Sequence, residues 1–63
     1  MSEKRVWLIE LRKIKGLTQT EVAKSCEISR SYYTLIENGS RTPTVSIAKL
    51  LGKELDFNWK SIY

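Results

Sequence analysis

Apolar residues recur along this chain at intervals of three and four, and polar residues fill the positions between them, the spacing of short helices with one face turned inward. Leu8 and Leu11 supply the inward stripe of a first helix, from about Lys4 to Lys15, which Gly16 stops. Thr18 and Glu21 form a capping-box pair that starts a second helix, about Gln19 to Cys26, on which Val22, Ala23 and Cys26 share a face. Ser29 starts a third, from Arg30 to Glu37. Its Tyr33 and Ile36 point one way, while Ser31, Thr34 and Leu35 lie on the other side. Asn38-Gly39 ends this helix, because glycine accepts the left-handed conformation that closes it. A loop from Gly39 to Pro43 follows, Thr44 caps a fourth helix over about Val45 to Leu51, and Gly52 is expected to end it. The tail, 56–63, carries Phe57, Trp59, Ile62 and Tyr63, with Asp56 or Asn58 placed to cap a short final helix. No stretch alternates like a strand, so the expected fold is all-α, a compact bundle of four to five short helices in one domain, 1–63.

The stretch 19–38 is the most informative. It reads as two short helices joined by a tight turn, the second with one face to bury and one to spare. Ala23 is small where the two would cross, and a larger side chain there would push them apart. The free face of the second helix is the part of the chain shaped to enter a DNA groove.

Composition narrows the field further. At 63 residues the core is only just sufficient, so a partner surface would help. Eleven Lys and Arg against seven acidic residues give a net charge of +4 and a pI near 9.5, which suits a polyanion without singling one out. One cysteine and no histidine remove intrachain disulfides and ordinary zinc sites, so no metal or cofactor is expected. No apolar run approaches the roughly 20 residues needed to span a bilayer, and the start lacks a full signal-peptide core, so a cytoplasmic location and no membrane partner are expected. There is no Gly-rich phosphate loop, and Cys26 has no plausible base beside it; an enzyme with a small-molecule substrate is the least favoured class.

From about Leu8 to Leu55 the pieces LIELRKIKGLTQ, EVAKSCEIS, SRSYYTLIENGSRTP and SIAKLLG stand in an order that resembles the lambda-repressor-like helix-turn-helix family, the Cro and phage-repressor type also called XRE. The ending FNWKSIY is similar to the short aromatic tail of small phage-related regulators of this type. The resemblance implies that the third helix lies in the major groove of double-stranded DNA, with Arg30 and Ser31 where family members place the residues that reach base edges. Arginine can donate two parallel hydrogen bonds to guanine O6 and N7; the competing reading gives Arg30 a phosphate instead. Leu35, on the exposed side, is read as a contact to a thymine methyl or as a solitary exposed apolar residue. Tyr32 either reaches the sugar-phosphate edge or covers neighbouring side chains.

Gln19 opens the second helix, and the resemblance makes it a phosphate clamp; Asn38 and Arg41 match positions that grip the backbone. Arg12 and Glu37 match a buried ion pair between the first helix and the end of the third, a structural role. Glu27 departs from the pattern, standing at a turn position usually held by Gly, so the turn is either strained or differently shaped. Cys26, where relatives bury an aliphatic residue, is read as core, with redox switching a minor alternative. Trp7, Ile9 and Ile14 exceed what one stripe needs. With Trp59, Ile62 and Tyr63 they either form a patch between two chains or let the tail fold back over Trp7 to complete the monomer.

The expected function is a sequence-specific DNA-binding transcriptional regulator, phage or bacterial, acting as a homodimer on a near-palindromic operator. Alternatives within the class are a DNA-binding antitoxin and a restriction-modification controller. From another class comes a protein-interaction module that sequesters a regulator.

Overall fold

Four α-helices and a closing 3-10 turn follow one another in the computed structural model, which describes residues 3–63: α1 Val6–Ile14, α2 Gln19–Ser25, α3 Arg30–Glu37, α4 Val45–Leu55, and the turn at Trp59–Ile62. Hydroxyl side chains start the middle three. The Thr18 side chain accepts from the Glu21 N–H while the Glu21 carboxylate accepts from the Thr18 N–H, and Ser29 and Thr44 accept from Tyr32 and Ile47. These caps satisfy N–H groups that the first turn would otherwise leave bare. α1 has no such cap and starts at Val6 rather than Lys4; its leading N–H groups bond instead to the Arg5 carbonyl.

Leu8, Val22, Ala23, Cys26, Tyr33, Ile36, Ala48, Leu51, Leu55 and Ile62 form one buried nucleus. Every helix contributes, which is how so short a chain gathers a core at all. α2 packs on α3, with Ala23 buried between them. No helix among the described residues is long and apolar enough to cross a membrane.

Two expectations are corrected here. Gly52 does not end α4; the helix runs on to Leu55 and is closed by Asp56 at φ 62°, with the Phe57 N–H bonding back to the Gly52 carbonyl. Gly52 is small because the tail crosses it: an added Cβ would lie 2.8 Å from the Phe57 carbonyl oxygen and 3.2 Å from Trp59 Cβ. Ile62, which one of two readings places on a surface shared by two chains, is 4% exposed and belongs to the core of its own chain. The tail does fold back, as one of the two readings has it, with Phe57 edge-on to Trp7 at 5.1 Å between centroids. Asn58, not Asp56, caps the final turn, through Oδ1 to the Lys60 N–H.

Glu27 takes the strained option. Its φ of 58° is left-handed backbone at the α2–α3 turn, where Glu27 N–H and Ile28 N–H bond to Lys24 and Ala23 carbonyls. A side chain there costs on the order of 1 kcal/mol. Glu27→Gly is therefore expected to raise the melting temperature by about 4 to 8 °C; an unchanged or lower melting temperature would show the turn to be unstrained.

Candidate nucleic-acid interface

The geometry of α3 follows from its rotation. Tyr33, Ile36 and Glu37 are buried, and one turn around the helix Arg30, Ser31 and Leu35 face solvent, Leu35 at 38% exposure. Two shallow clefts flank this exposed face, one lined by Arg30, Ser31, Thr34 and Leu35, the other by Ser29, Ser31, Tyr32, Leu35 and Arg41. The residues expected at base edges thus share a single ridge. Tyr32, half-buried, sits at its side, and Asn38 and Arg41 are exposed beyond its C-terminal end.

A polar network runs from the core to this ridge. Arg12 Nε donates to Glu37 Oε2 at 2.7 Å, with the side chains 13% and 2% exposed, and Arg12 Nη1 donates to the Leu17 carbonyl at 2.9 Å. Gln19 Nε2 donates to the other oxygen, Glu37 Oε1, at 2.8 Å. Burial pushes the Glu37 carboxyl up, but hydrogen bonds from Arg12 and Gln19, with the Tyr33 hydroxyl alongside, outweigh it and hold the group below the usual carboxylate range. The hydrogen bond with Glu37 raises Arg12 against the opposing effect of burial. The Tyr33 hydroxyl, enclosed beside the pair, has no hydrogen-bond partner among the described residues.

Gln19 is placed differently from a free phosphate clamp. Its amide is turned into the protein, and its Oε1 lies 3.4 Å from Arg30 Nε and 3.2 Å from Thr34 Oγ1. Thr34 is also 2.9 Å from the Arg30 carbonyl, so its one proton has two acceptors within reach.

Arg5, which no motif in the chain singles out, ties down the far end of the ridge. Its N–H donates to the Glu37 carbonyl at 2.8 Å, and its Nη1 donates to the Ile36 carbonyl and, at 3.1 Å, to the Arg41 carbonyl. A guanidinium suits the C-terminal end of a helix, where carbonyls lack partners and carry partial negative charge. The backbone of Glu3 passes directly over Gly39.

Cys26 is buried and unpaired, and burial pushes its thiol up to about 11. A thiol held neutral is a poor nucleophile, which leaves the residue as core. At the tail, Trp59 lies beneath Lys49 and Lys60 and edge-on to Tyr63, whose hydroxyl donates to the Pro43 carbonyl at 2.8 Å.

Two short helices set across a tight turn, the second presenting a free polar ridge, define a helix-turn-helix domain. The helix-turn-helix family model matches residues 8–59, and the chain belongs to that family. It is 53% identical over 55 residues to the uncharacterized HTH-type transcriptional regulator YqaF of Bacillus subtilis, a match covering 87% of this chain and 72% of that protein. It is 39% identical over 51 residues to the HTH-type transcriptional regulator PrpR of Mycobacterium tuberculosis, covering 81% of this chain and 10% of that much longer protein. Its fold is similar to the crystal structure of the restriction-modification controller protein C.AhdI from Aeromonas hydrophila, with a TM-score of 0.76 and 32% identity over 89% of this chain and 85% of that one.

Proposed function

We propose that this DNA-binding transcriptional regulator acts as a homodimer on a near-palindromic operator, each subunit laying α3 in the major groove. Arg30, Ser31 and Leu35 meet base edges in this reading, Arg30 on a guanine and Leu35 on a thymine methyl. Tyr32, Asn38 and Arg41 line the sugar-phosphate backbone and supply affinity rather than sequence choice. The single observation that carries the reading is the exposure of Arg30, Ser31 and Leu35 on one ridge while Tyr33, Ile36 and Glu37 anchor the opposite side in the core.

A second subunit is supported by the half-buried Trp59 and the 58% exposed Tyr63, which leave aromatic surface at the tail of a domain with little core to spare. Two-fold symmetry would place half-sites about one helical turn, roughly 10 bp, apart. The fold likeness to C.AhdI favours a controller of restriction and modification genes as the specific role, which the genes flanking this one would test.

Sedimentation of the chain with a selected duplex tests the assembly: two chains per duplex are expected, and one chain on a saturated palindrome would defeat the dimer. Arg41→Ala is expected to flatten the slope of log K against log salt by about 0.9 per subunit while leaving base preferences alone. An unchanged slope would remove Arg41 from the backbone contacts.

A further inference from the structure

We propose that Arg5 is a positioning residue for the backbone contact of Arg41: it fixes the main chain from which the Arg41 guanidinium reaches a phosphate, without contacting DNA itself. The inference rests on the reading of Arg41 as a backbone contact.

The C-terminal end of α3 sets the need. The helix carries no basic residue in its last turn, where bare carbonyls favour a cation, and the chain leaves it through Asn38-Gly39-Ser40, with Asn38 and Ser40 exposed. Arg5 meets both demands from far away in the sequence. Its Nη1 carries two protons and donates to the Ile36 carbonyl, inside the helix, and at 3.1 Å to the Arg41 carbonyl, in the loop beyond. One nitrogen thereby ties the loop to the helix it follows. The Arg5 N–H donates to the Glu37 carbonyl at 2.8 Å, so the side chain that makes the tie starts from a seated main chain.

Arg41 is fastened on both sides of its peptide. Its N–H donates to the Leu35 carbonyl at 3.2 Å, and its own carbonyl accepts from Arg5. Its side chain, by contrast, is exposed and takes part in no ion pair among the described residues, and it lines the cleft that Ser29, Ser31, Tyr32 and Leu35 share. A fixed root and a free tip keep the guanidinium beside the ridge before any DNA arrives. A loop free to wander would have to be ordered at each binding event, at a cost in affinity. Arg5 is half-buried and its guanidinium is already committed to two carbonyls, which sets it apart from the exposed cation it positions.

The test is a double-mutant cycle of Arg5→Met with Arg41→Ala, with binding read on the selected duplex and on unrelated DNA over a range of salt. Arg5→Met keeps an unbranched stem and removes the side-chain donors, while the main-chain bond to Glu37 stays. It is expected to weaken binding to both duplexes alike by at least about 3-fold and to flatten the salt slope toward that of Arg41→Ala, with base preferences kept. In the Arg41→Ala background the same change is expected to alter affinity by less than about 1.5-fold and to leave the slope unchanged. Amide hydrogen exchange of the free protein gives a second reading: the Ser40 and Arg41 N–H groups, both bonded to the Leu35 carbonyl, should exchange at least about 5-fold faster in Arg5→Met relative to the Ile36 amide. A loss of affinity that persists in full without Arg41 would make Arg5 a phosphate contact in its own right and overturn the proposal. Unchanged affinity in Arg5→Met, or loop amides that stay protected, would leave Arg5 a stabilising residue only and overturn it too. An Arg41→Ala variant with unaltered affinity and salt slope would bring down the reading of Arg41 and the proposal with it, a result that this single variant reveals by itself.

Discussion

Arg12→Ala is expected to lose about 3 to 5 kcal/mol of folding stability, because it strands the Glu37 carboxylate, 2% exposed, in the core. A domain of this length has roughly 3 to 9 kcal/mol in total, so the variant should be largely unfolded at ambient temperature or melt at least about 12 °C lower. The cost comes from the orphaned charge more than from the lost attraction. Combining Arg12→Met with Glu37→Gln leaves no charge behind and should recover most of the loss. Thermal melts followed by circular dichroism check both. An Arg12→Ala variant that folds normally and shows altered base preference would contradict the structural role.

The same pair predicts how stability responds to acid. The native Glu37 carboxyl is held below its unfolded value, so the folded state favours the ionised form. That contribution is fully present above the unfolded carboxylate range, near pH ~4.3, and is lost as pH falls through the native value. Acid unfolding should therefore shift to higher pH when Gln19, one of the donors to Glu37, is removed.

Gly39→Ala is expected to be the second most damaging of these changes. The residue has a φ of 78°, which costs any other side chain on the order of 1 kcal/mol. Its added Cβ would also collide with the Glu3 carbonyl oxygen, a backbone atom that cannot simply rotate aside. The segment would have to lift, and with it the Arg5 N–H that caps α3 at the Glu37 carbonyl. Strain and lost hydrogen bonds together should cost about 2 to 3 kcal/mol. Deleting residues 1–3 removes the obstruction, so in that background Gly39→Ala should cost only about 1 kcal/mol. An equal cost in both backgrounds would show that backbone conformation alone matters at Gly39.

Features of this fold that depend on close neighbours along the chain are legible in the sequence itself. The capping box of Thr18 and Glu21, the Ser29 cap, and the division of α3 into a Tyr33–Ile36 side and a Ser31–Leu35 side are all set within one or two helical turns. The fate of a glycine is not. Gly39 and Gly52 look alike as helix stops, yet Gly52 is a place where the tail crosses α4, and only a contact with Phe57 and Trp59 distinguishes it. Ile62 escapes the sequence for the same reason, since an aromatic-rich tail reads identically whether it packs on its own chain or another. The anchoring of α3 by Arg5 joins residues 31 and 36 positions apart, and no periodicity reports such a contact. Gln19 stands out by its place at the start of α2, where family resemblance assigns it a phosphate. Its two-sided amide becomes apparent only when Glu37 is seen to have one oxygen left after pairing with Arg12.

The central claim, that the outward ridge of α3 reads bases, is tested most directly by selecting binding sites from random DNA with the wild-type protein and repeating the selection with Arg30→Ala. The expected result is a near-palindromic consensus that, in the variant, relaxes at one base in each half-site while affinity for unrelated DNA stays within about 2-fold. A wild-type protein that enriches no sequence, or an Arg30→Ala variant that enriches the same consensus at every position, would contradict it.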